Sequence, residues 1–352
     1  MSNPDFNATT TGSEVAATLA AEIRGKNVVL TGVSPTSVGS ATAIAIASQG
    51  PATLVLASRT KSKVEEVASE IKAKYPTVAT KVVVLDLSSI ESIKSAAADI
   101  VESVDRIDVL INNAGISLQS RDPVVAANGT KLDLQFYTNH VGPFLFTELL
   151  LPTLLNSVSP GASRIVNVSS HGHRLSPIRF SDYAFEKDLY EGVPEAERPP
   201  RNVNPGFLQL KDGFPGFVAY GQSKAANILH AVELTRRLRK KGSNAFAVSV
   251  HPGTIKTGLM RSLDAQGMET MGGTAPGGIW KSVDQGAATT LVAAFDPKLF
   301  GMVPEASDGA QCLYLADCKL ADHMLAGHAK NAETARKLWE ETESMLGIRS
   351  VL

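Results

Sequence analysis

Tyr220 and Lys224 stand four residues apart in Tyr-Gly-Gln-Ser-Lys. On a helix that spacing puts both side chains on one face. An ammonium beside a phenol favours the phenolate and draws its pKa down from about 10. That suits the tyrosine to proton transfer near neutral pH. Standing alone, such a pair is better read as a contact on a helix surface. Asn139 and Ser170 add to it, because all four residues fall where an expected element meets the same side of one sheet.

A second set of residues suits phosphate. The stretch Thr31-Gly-Val-Ser-Pro-Thr-Ser-Val-Gly39 follows an apolar run and leads into an Ala-rich segment. A glycine turn there lets the backbone approach a pyrophosphate, and a helix N-terminus supplies N–H groups and dipole. An ordinary strand-to-helix loop reads the same way, and the stretch matches neither G-x-x-x-x-G-K-[ST] nor G-x-G-x-x-G. At the end of the next apolar run stands Arg59, with Lys61 and Lys63 close behind. An acidic residue in that place would bind a ribose 2′-hydroxyl, whereas an arginine suits a 2′-phosphate. The alternative is a solvated basic helix start.

These residues need a frame. Short apolar runs at 27–31, 52–57, 81–85, 109–112, 164–169 and 246–250 read as strands. Helical spacing is expected over 13–24, 39–49, 62–74, 90–104, about 132–155, 223–240, 284–295 and 332–346. Strand and helix in alternation predict an α/β fold, a doubly wound parallel sheet of six or seven strands covered on both faces. Residues 1–24 are expected as a loose arm with a helix, and 25–352 as one domain. Two segments break the rhythm: 171–219, with six prolines, and 258–283, with Met260, Met268 and Met271 among glycines. They read as an insertion and a mobile flap.

Composition narrows the function classes. The 352 residues carry 34 Lys plus Arg against 35 Asp plus Glu, a net charge of −1, so no global basic field awaits nucleic acid. The longest apolar stretch, 141–155, holds Pro143, Glu148 and Pro152 and is too short to span a bilayer. The polar N-terminus lacks the form of a secretory signal, which leads to an expectation of a cytoplasmic protein. Cys312 and Cys318 read as ordinary thiols. His171 and His173 lack companions at metal-ligand spacing, so no metal is expected. The basic run Arg236 to Lys241 ends a helix, where cations suit the dipole. Of the N-x-[ST] triplets at Asn7, Asn128 and Asn167, the last falls inside an expected strand.

Thr31-Gly32, Asn112-Asn-Ala-Gly115, Asn139, Ser169-Ser170, Tyr220-x-x-x-Lys224 and His251-Pro-Gly-Thr-Ile-Lys-Thr257 occur in the order of the short-chain dehydrogenase/reductase family. Over about 25–257 the chain resembles that family, and most of all its retinol-dehydrogenase-like and fungal reductase branches. The resemblance implies a Rossmann-like fold, an NADP(H) cofactor and reduction of a ketone or aldehyde, or oxidation of the alcohol. It implies that Tyr220 protonates the carbonyl oxygen, Ser170 positions it, Lys224 binds the nicotinamide ribose and Asn139 holds a relay water. It further implies a cofactor bed of Gly32, Ser34, Ser37, Val38 and Gly39 at the pyrophosphate, with Arg59 and Lys63 at the 2′-phosphate. Asp86 and Leu87 would meet the adenine, Asn113, Ala114 and Gly115 the adenosine ribose, and Pro252, Gly253, Ile255 and Thr257 the nicotinamide carboxamide. Members often pair through the helices carrying Asn139 and Tyr220, which makes a homodimer the expectation.

The chain departs from the family pattern in three places. The glycine loop has one extra residue and Ser37 where the middle glycine is expected, so Ser37 either crowds or binds a phosphate. Ser170 and Tyr220 are 50 residues apart, far more than usual. A one-residue slip of the strand would put Ser169 in the place of Ser170, which is preferred. The expected substrate is apolar and larger than a simple alcohol, walled by the insertion and the flap. A non-catalytic NADP(H)-binding module, or an epimerase, dehydratase or cyclase on the same scaffold, is the alternative.

Overall fold

Strand and helix alternate along the chain as their apolar periods require. The computed structural model describes residues 1–156, 163–303 and 313–352. Helices α1 (Gly12–Thr18) and α2 (Ala20–Ile23) precede β1 (Asn27–Thr31), α3 (Val38–Ala47), β2 (Thr53–Ser58), α4 (Lys61–Lys74), β3 (Ala79–Val84), α5 (Ile90–Val101) and β4 (Val109–Asn112). A hairpin, β5 (Pro123–Val125) and β6 (Lys131–Asp133), leads through α6 (Leu134–Phe136) to α7 (Gly142–Leu155) and β7 (Arg164–Val168). Then come α8 (Gly216–Lys240), β8 (Phe246–His251), α9 (Ala265–Gly272), α10 (Val283–Phe295), β9 (Leu313–Ala316), β10 (Lys319–Leu320) and α11 (Ala332–Leu346).

The main sheet runs β10-β9-β8-β7-β4-β1-β2-β3. All its neighbours are parallel except β10, a two-residue antiparallel edge on β9. The expected doubly wound sheet is thus present. Its seventh parallel strand, β9, carries too short an apolar run to read as one in advance. Alternate residues face opposite ways along each strand. Val29, Val55, Leu110, Ile165 and Ala247 enter the core shared with α5, α7, α8 and α11. Val28, Leu54, Val109, Val166 and Val248 enter the one shared with α1, α3, α4 and α10.

Several boundaries differ from expectation. The N-terminal residues are not a loose arm: Phe6 is buried and the Ser2 hydroxyl donates to Asp296 Oδ1 at 2.7 Å. The helix expected over 132–155 is broken at its start. Asp133 ends β6 and accepts from the N–H groups of Gln135 and Phe136, and a π-turn, Tyr137–Val141, intervenes before α7. Helix α8 starts at Gly216, so Tyr220 lies inside it rather than ahead of it. The proline-rich segment folds over a small core of its own, Phe185, Leu189, Phe214 and Val218. Arg179, fully buried, braces this core by pairing with Asp182 at 2.6 Å and lying 4.7 Å over the Phe185 ring. The 258–283 segment is partly helical rather than a bare flap.

Among the described residues no helix is long and apolar enough to cross a membrane. Helix α11 covers α8 and α7 from outside. Its Trp339 ring lies 4.7 Å from Phe144 and 5.7 Å from His230, with 1% of the residue exposed. Trp339→Ala is expected to lower the unfolding free energy by about 3–5 kcal/mol, read from urea denaturation.

Candidate active site

The strand order reverses between β4 and β1, and ligands of such sheets bind outside the carboxyl ends of the strands there. A cleft of about 1000 Å³ opens at that edge. Its floor is a point of close backbone contact. The Thr31 hydroxyl accepts from the N–H groups of Asn113 and Ala114, both at 3.1 Å, and Asn113 Nδ2 donates to the Thr31 carbonyl at 2.9 Å. Gly32 has φ +78°, and a Cβ on it would stand 2.6 Å from Ala114 Cα. Gly39 has no room either, since its Cβ would strike the Gly32 carbonyl oxygen.

The structure puts Gly32, Ser34, Ser37, Val38 and Gly39 along this cleft at the N-terminus of α3. The extra loop residue is absorbed at Thr36, which takes a left-handed φ of +55°. Ser37 is the helix cap: its hydroxyl accepts from Ser40 N at 3.1 Å and donates to the Ser34 carbonyl at 2.7 Å. The hydroxyl is therefore engaged inside the loop. Arg59 and Lys63 line the same cleft, are exposed, and among the described residues hold no ion pair. Asp86 and Leu87 line it beyond β3, with Asp86 Oδ1 accepting from the Ser88 hydroxyl at 2.6 Å. Asn113, Ala114 and Gly115 line it after β4, and Pro252, Gly253, Ile255 and Thr257 after β8.

At the other end of the cleft stand Ser170, Tyr220 and Lys224. Ser170 caps the 3₁₀ turn His171–Leu175, its hydroxyl accepts from Gly172 N at 3.0 Å, and it lies close enough to the Tyr220 phenol to favour the charged form. Ser169 points the other way: it is buried and donates to the Lys224 carbonyl at 2.7 Å. Lys224 Nζ donates to the Val168 carbonyl at 2.9 Å and lies 5.6 Å from the Tyr220 ring centre. Burial draws the Lys224 ammonium down to about 8. Burial pushes the Tyr220 phenol up to about 12, against the pull of Ser170. The expected lowering of Tyr220 by Lys224 is thus not what this geometry gives, because the ammonium is turned to a carbonyl.

Asn139 does not line the cleft. It is fully buried on the π-turn, donates through Nδ2 to the Ile116 carbonyl and Ser223 Oγ, both at 2.9 Å, and accepts from Ile116 N at 2.8 Å. It lies directly behind Gly115: a Cβ there would stand 3.3 Å from Asn139 Oδ1 and 3.2 Å from Lys224 Nζ. His171 stacks on His251 with ring centres 4.1 Å apart. Among the described residues no cluster of His, Cys, Asp and Glu could hold a metal ion. Cys318 is buried, and burial pushes its thiol up to about 11, away from reactivity. Cys312 lies outside the described residues.

The residues that sequence reasoning missed are on the outer walls. Phe207 comes from the proline-rich segment, Phe217 from the first turn of α8, Arg174 from the 3₁₀ turn, and Met324 and His328 from the stretch after β10. Apart from Phe217 none sits in a regular helix or strand of the fold, so only the folded chain brings them together.

Comparison with known proteins agrees with this geometry. Residues 26–190 match the family described as short chain dehydrogenase. An oxidoreductase of Fusarium equiseti, fscI, is 37% identical over 252 residues, covering 70% of this chain and 94% of its own. Human retinol dehydrogenase 11 is 34% identical over 330 residues, covering 93% and 87%. Among solved structures, an uncharacterised protein from Mycobacterium paratuberculosis superposes with a TM-score of 0.64 at 28% identity, covering 95% of this chain and 98% of that one. An NADPH-bound carbonyl reductase from chicken fatty liver shares the fold, with a TM-score of 0.52 at 21% identity over 85% of this chain and 99% of that one. With its sheet, its cleft and its relatives in agreement, the chain belongs to the short-chain dehydrogenase/reductase family, on the retinol-dehydrogenase-like branch, and is an oxidoreductase of the nicotinamide-linked kind.

Proposed function

We propose that the protein reduces an apolar ketone or aldehyde with NADPH. The observation that carries this reading is that Ser170, Tyr220 and Lys224, the last one helical turn from the tyrosine, come together at the end of a cleft that begins at a glycine cradle. The cradle fits a dinucleotide: Gly32 and Gly39 leave backbone where a Cβ would collide, and the first turn of α3 directs N–H groups towards it. Gly32, Ser34, Val38 and Gly39 would hold the pyrophosphate. Arg59 and Lys63 would hold a 2′-phosphate, a role for which a free guanidinium is well shaped. The nicotinamide, when bound, supplies the hydride.

The rest is done by the chain. Tyr220, protonated at neutral pH, donates its proton to the carbonyl oxygen as that oxygen gains negative charge. Ser170 holds the same oxygen in place. Lys224, charged below about 8, binds the ribose, and its ammonium would have to leave the Val168 carbonyl to meet the phenolate left behind. Asn139 acts from behind, fixing Ile116 and Ser223 and, through them, the wall at Gly115. Phe207, Phe217, Met260, Leu263 and Met271 offer an apolar wall to the substrate. Every group needed comes from a single chain, and the homodimer expected through α7 and α8 would have to displace α11. The commitment of the Ser37 hydroxyl within its own loop speaks against the idea that this serine competes for a phosphate.

A screen of aldehydes and ketones for NADPH consumption tests the reading, and no turnover with any of them sinks it. Tyr220→Phe is expected to lower kcat by about 10²–10⁴ while NADPH still binds, as read from its fluorescence. Arg59→Ser is expected to weaken NADPH binding roughly tenfold and leave NADH binding nearly as it was. Because kcat/KM reports the free enzyme, it should fall about tenfold per pH unit above about 8 as Lys224 loses its charge. A plateau that persists until the tyrosine titrates would remove that role from Lys224.

A further inference from the structure

Among the described residues, the substrate end of the cleft holds positive charge with no carboxylate to meet it. Arg174 lies on the 3₁₀ turn that Ser170 caps, and this turn lies against the Tyr220 ring: a Cβ on Gly172 would stand 3.3 Å from two ring carbons. The Arg174 side chain lines the cleft, is exposed, and among the described residues holds no ion pair. Burial above all keeps His171 and His173 neutral, and the Arg174 charge adds to it. From the 258–283 segment Arg261 also lines the cleft, and its guanidinium donates to the Gly258 carbonyl at 3.0 Å with no carboxylate attached. The carboxylate that does line the cleft, Asp86, follows β3. In the order β7-β4-β1-β2-β3 it stands four strands from Ser170, roughly 19 Å at the usual strand spacing.

Phe207, Phe217 and Met271 give the same cleft apolar surface, and a planar guanidinium offers paired donors that match a carboxylate. We propose that the substrate is an apolar carbonyl compound bearing a carboxylate, and that Arg174, with Arg261 beside the same cleft, is the specificity determinant that selects it. The carbonyl part of this statement rests on the reduction proposed above; the anion part rests on the charge distribution alone.

The test separates the two. 2-Naphthoate and 2-naphthamide, which share a skeleton and differ in charge, are titrated calorimetrically into the full chain. The naphthoate is expected to bind at least about tenfold more tightly at low salt, with the ratio shrinking as sodium chloride rises. R174Q is expected to bring the ratio close to one, and R174K to keep part of it. Equal affinities for the wild-type chain, or a preference that survives R174Q and R261Q combined, would overturn the anion site. In a second arm, 6-formyl-2-naphthoate and its methyl ester are offered with NADPH. A higher kcat/KM for the acid that R174Q removes is the expected result. If acid and ester react equally, the anion site falls and reduction stands. If the naphthoate preference is present but neither aldehyde consumes NADPH, reduction falls and the anion site stands.

Discussion

The carbonyl of Val168 takes two donors from α8, Lys224 Nζ at 2.9 Å and Asn227 Nδ2 at 3.2 Å, and much of the site depends on that double bond. A helix buried along most of its length can carry a lysine only if the ammonium finds an acceptor. The last turn of β7 provides it. The seam continues on both sides of the strand. Ser169 donates back to the Lys224 carbonyl, Asn167 donates to the Asn227 carbonyl, and Asn112 donates to Asn167 and Thr147. Polar networks of this kind specify a register when their members are paired. Here the register fixed is that of α8 against β7, and with it the height of Tyr220 above the sheet edge.

The glycine-loop end of the cleft is governed by steric closeness instead. Gly32 and Gly39 each mark a place where backbone comes nearer than a Cβ allows, and at Gly115 a Cβ would fit only tightly against Lys224 and Asn139. Thr31 and Asn113 hold the two strand ends at that distance by four short links between them and the neighbouring backbone. One end of the cleft is thus made by absence of side chains and the other by pairing of buried ones. Their common line is the edge of β1 and β4.

Much of this was legible in the sequence. Short continuous apolar runs gave away β1 to β4, β7 and β8, because a strand buried on both faces leaves few polar residues to confuse the pattern. The site residues could be found because their types and order recur in a family. What escaped reading arises from tertiary contact. The π-turn that carries Asn139 comes from a buried Asp133 capping a short turn, and helix periodicity runs straight through it. Phe6 is a lone apolar residue in a polar stretch and finds its socket only once α10 is present. Arg174 and Phe207 come from segments without period, and Phe217 from a first helical turn that the proline-rich stretch hides. The electrostatics also escaped: four-residue spacing places Lys224 near Tyr220 but cannot say that its ammonium faces Val168.

Helix α11 has a consequence for how the molecule keeps to itself in solution. Trp339 closes the outer side of α8 against His230 and Phe144. Were α11 to lift away, the helix bearing Tyr220 would present an apolar flank to water. Such a flank invites wrong partners. Resistance to aggregation therefore depends on one docked helix as well as on the completed sheet.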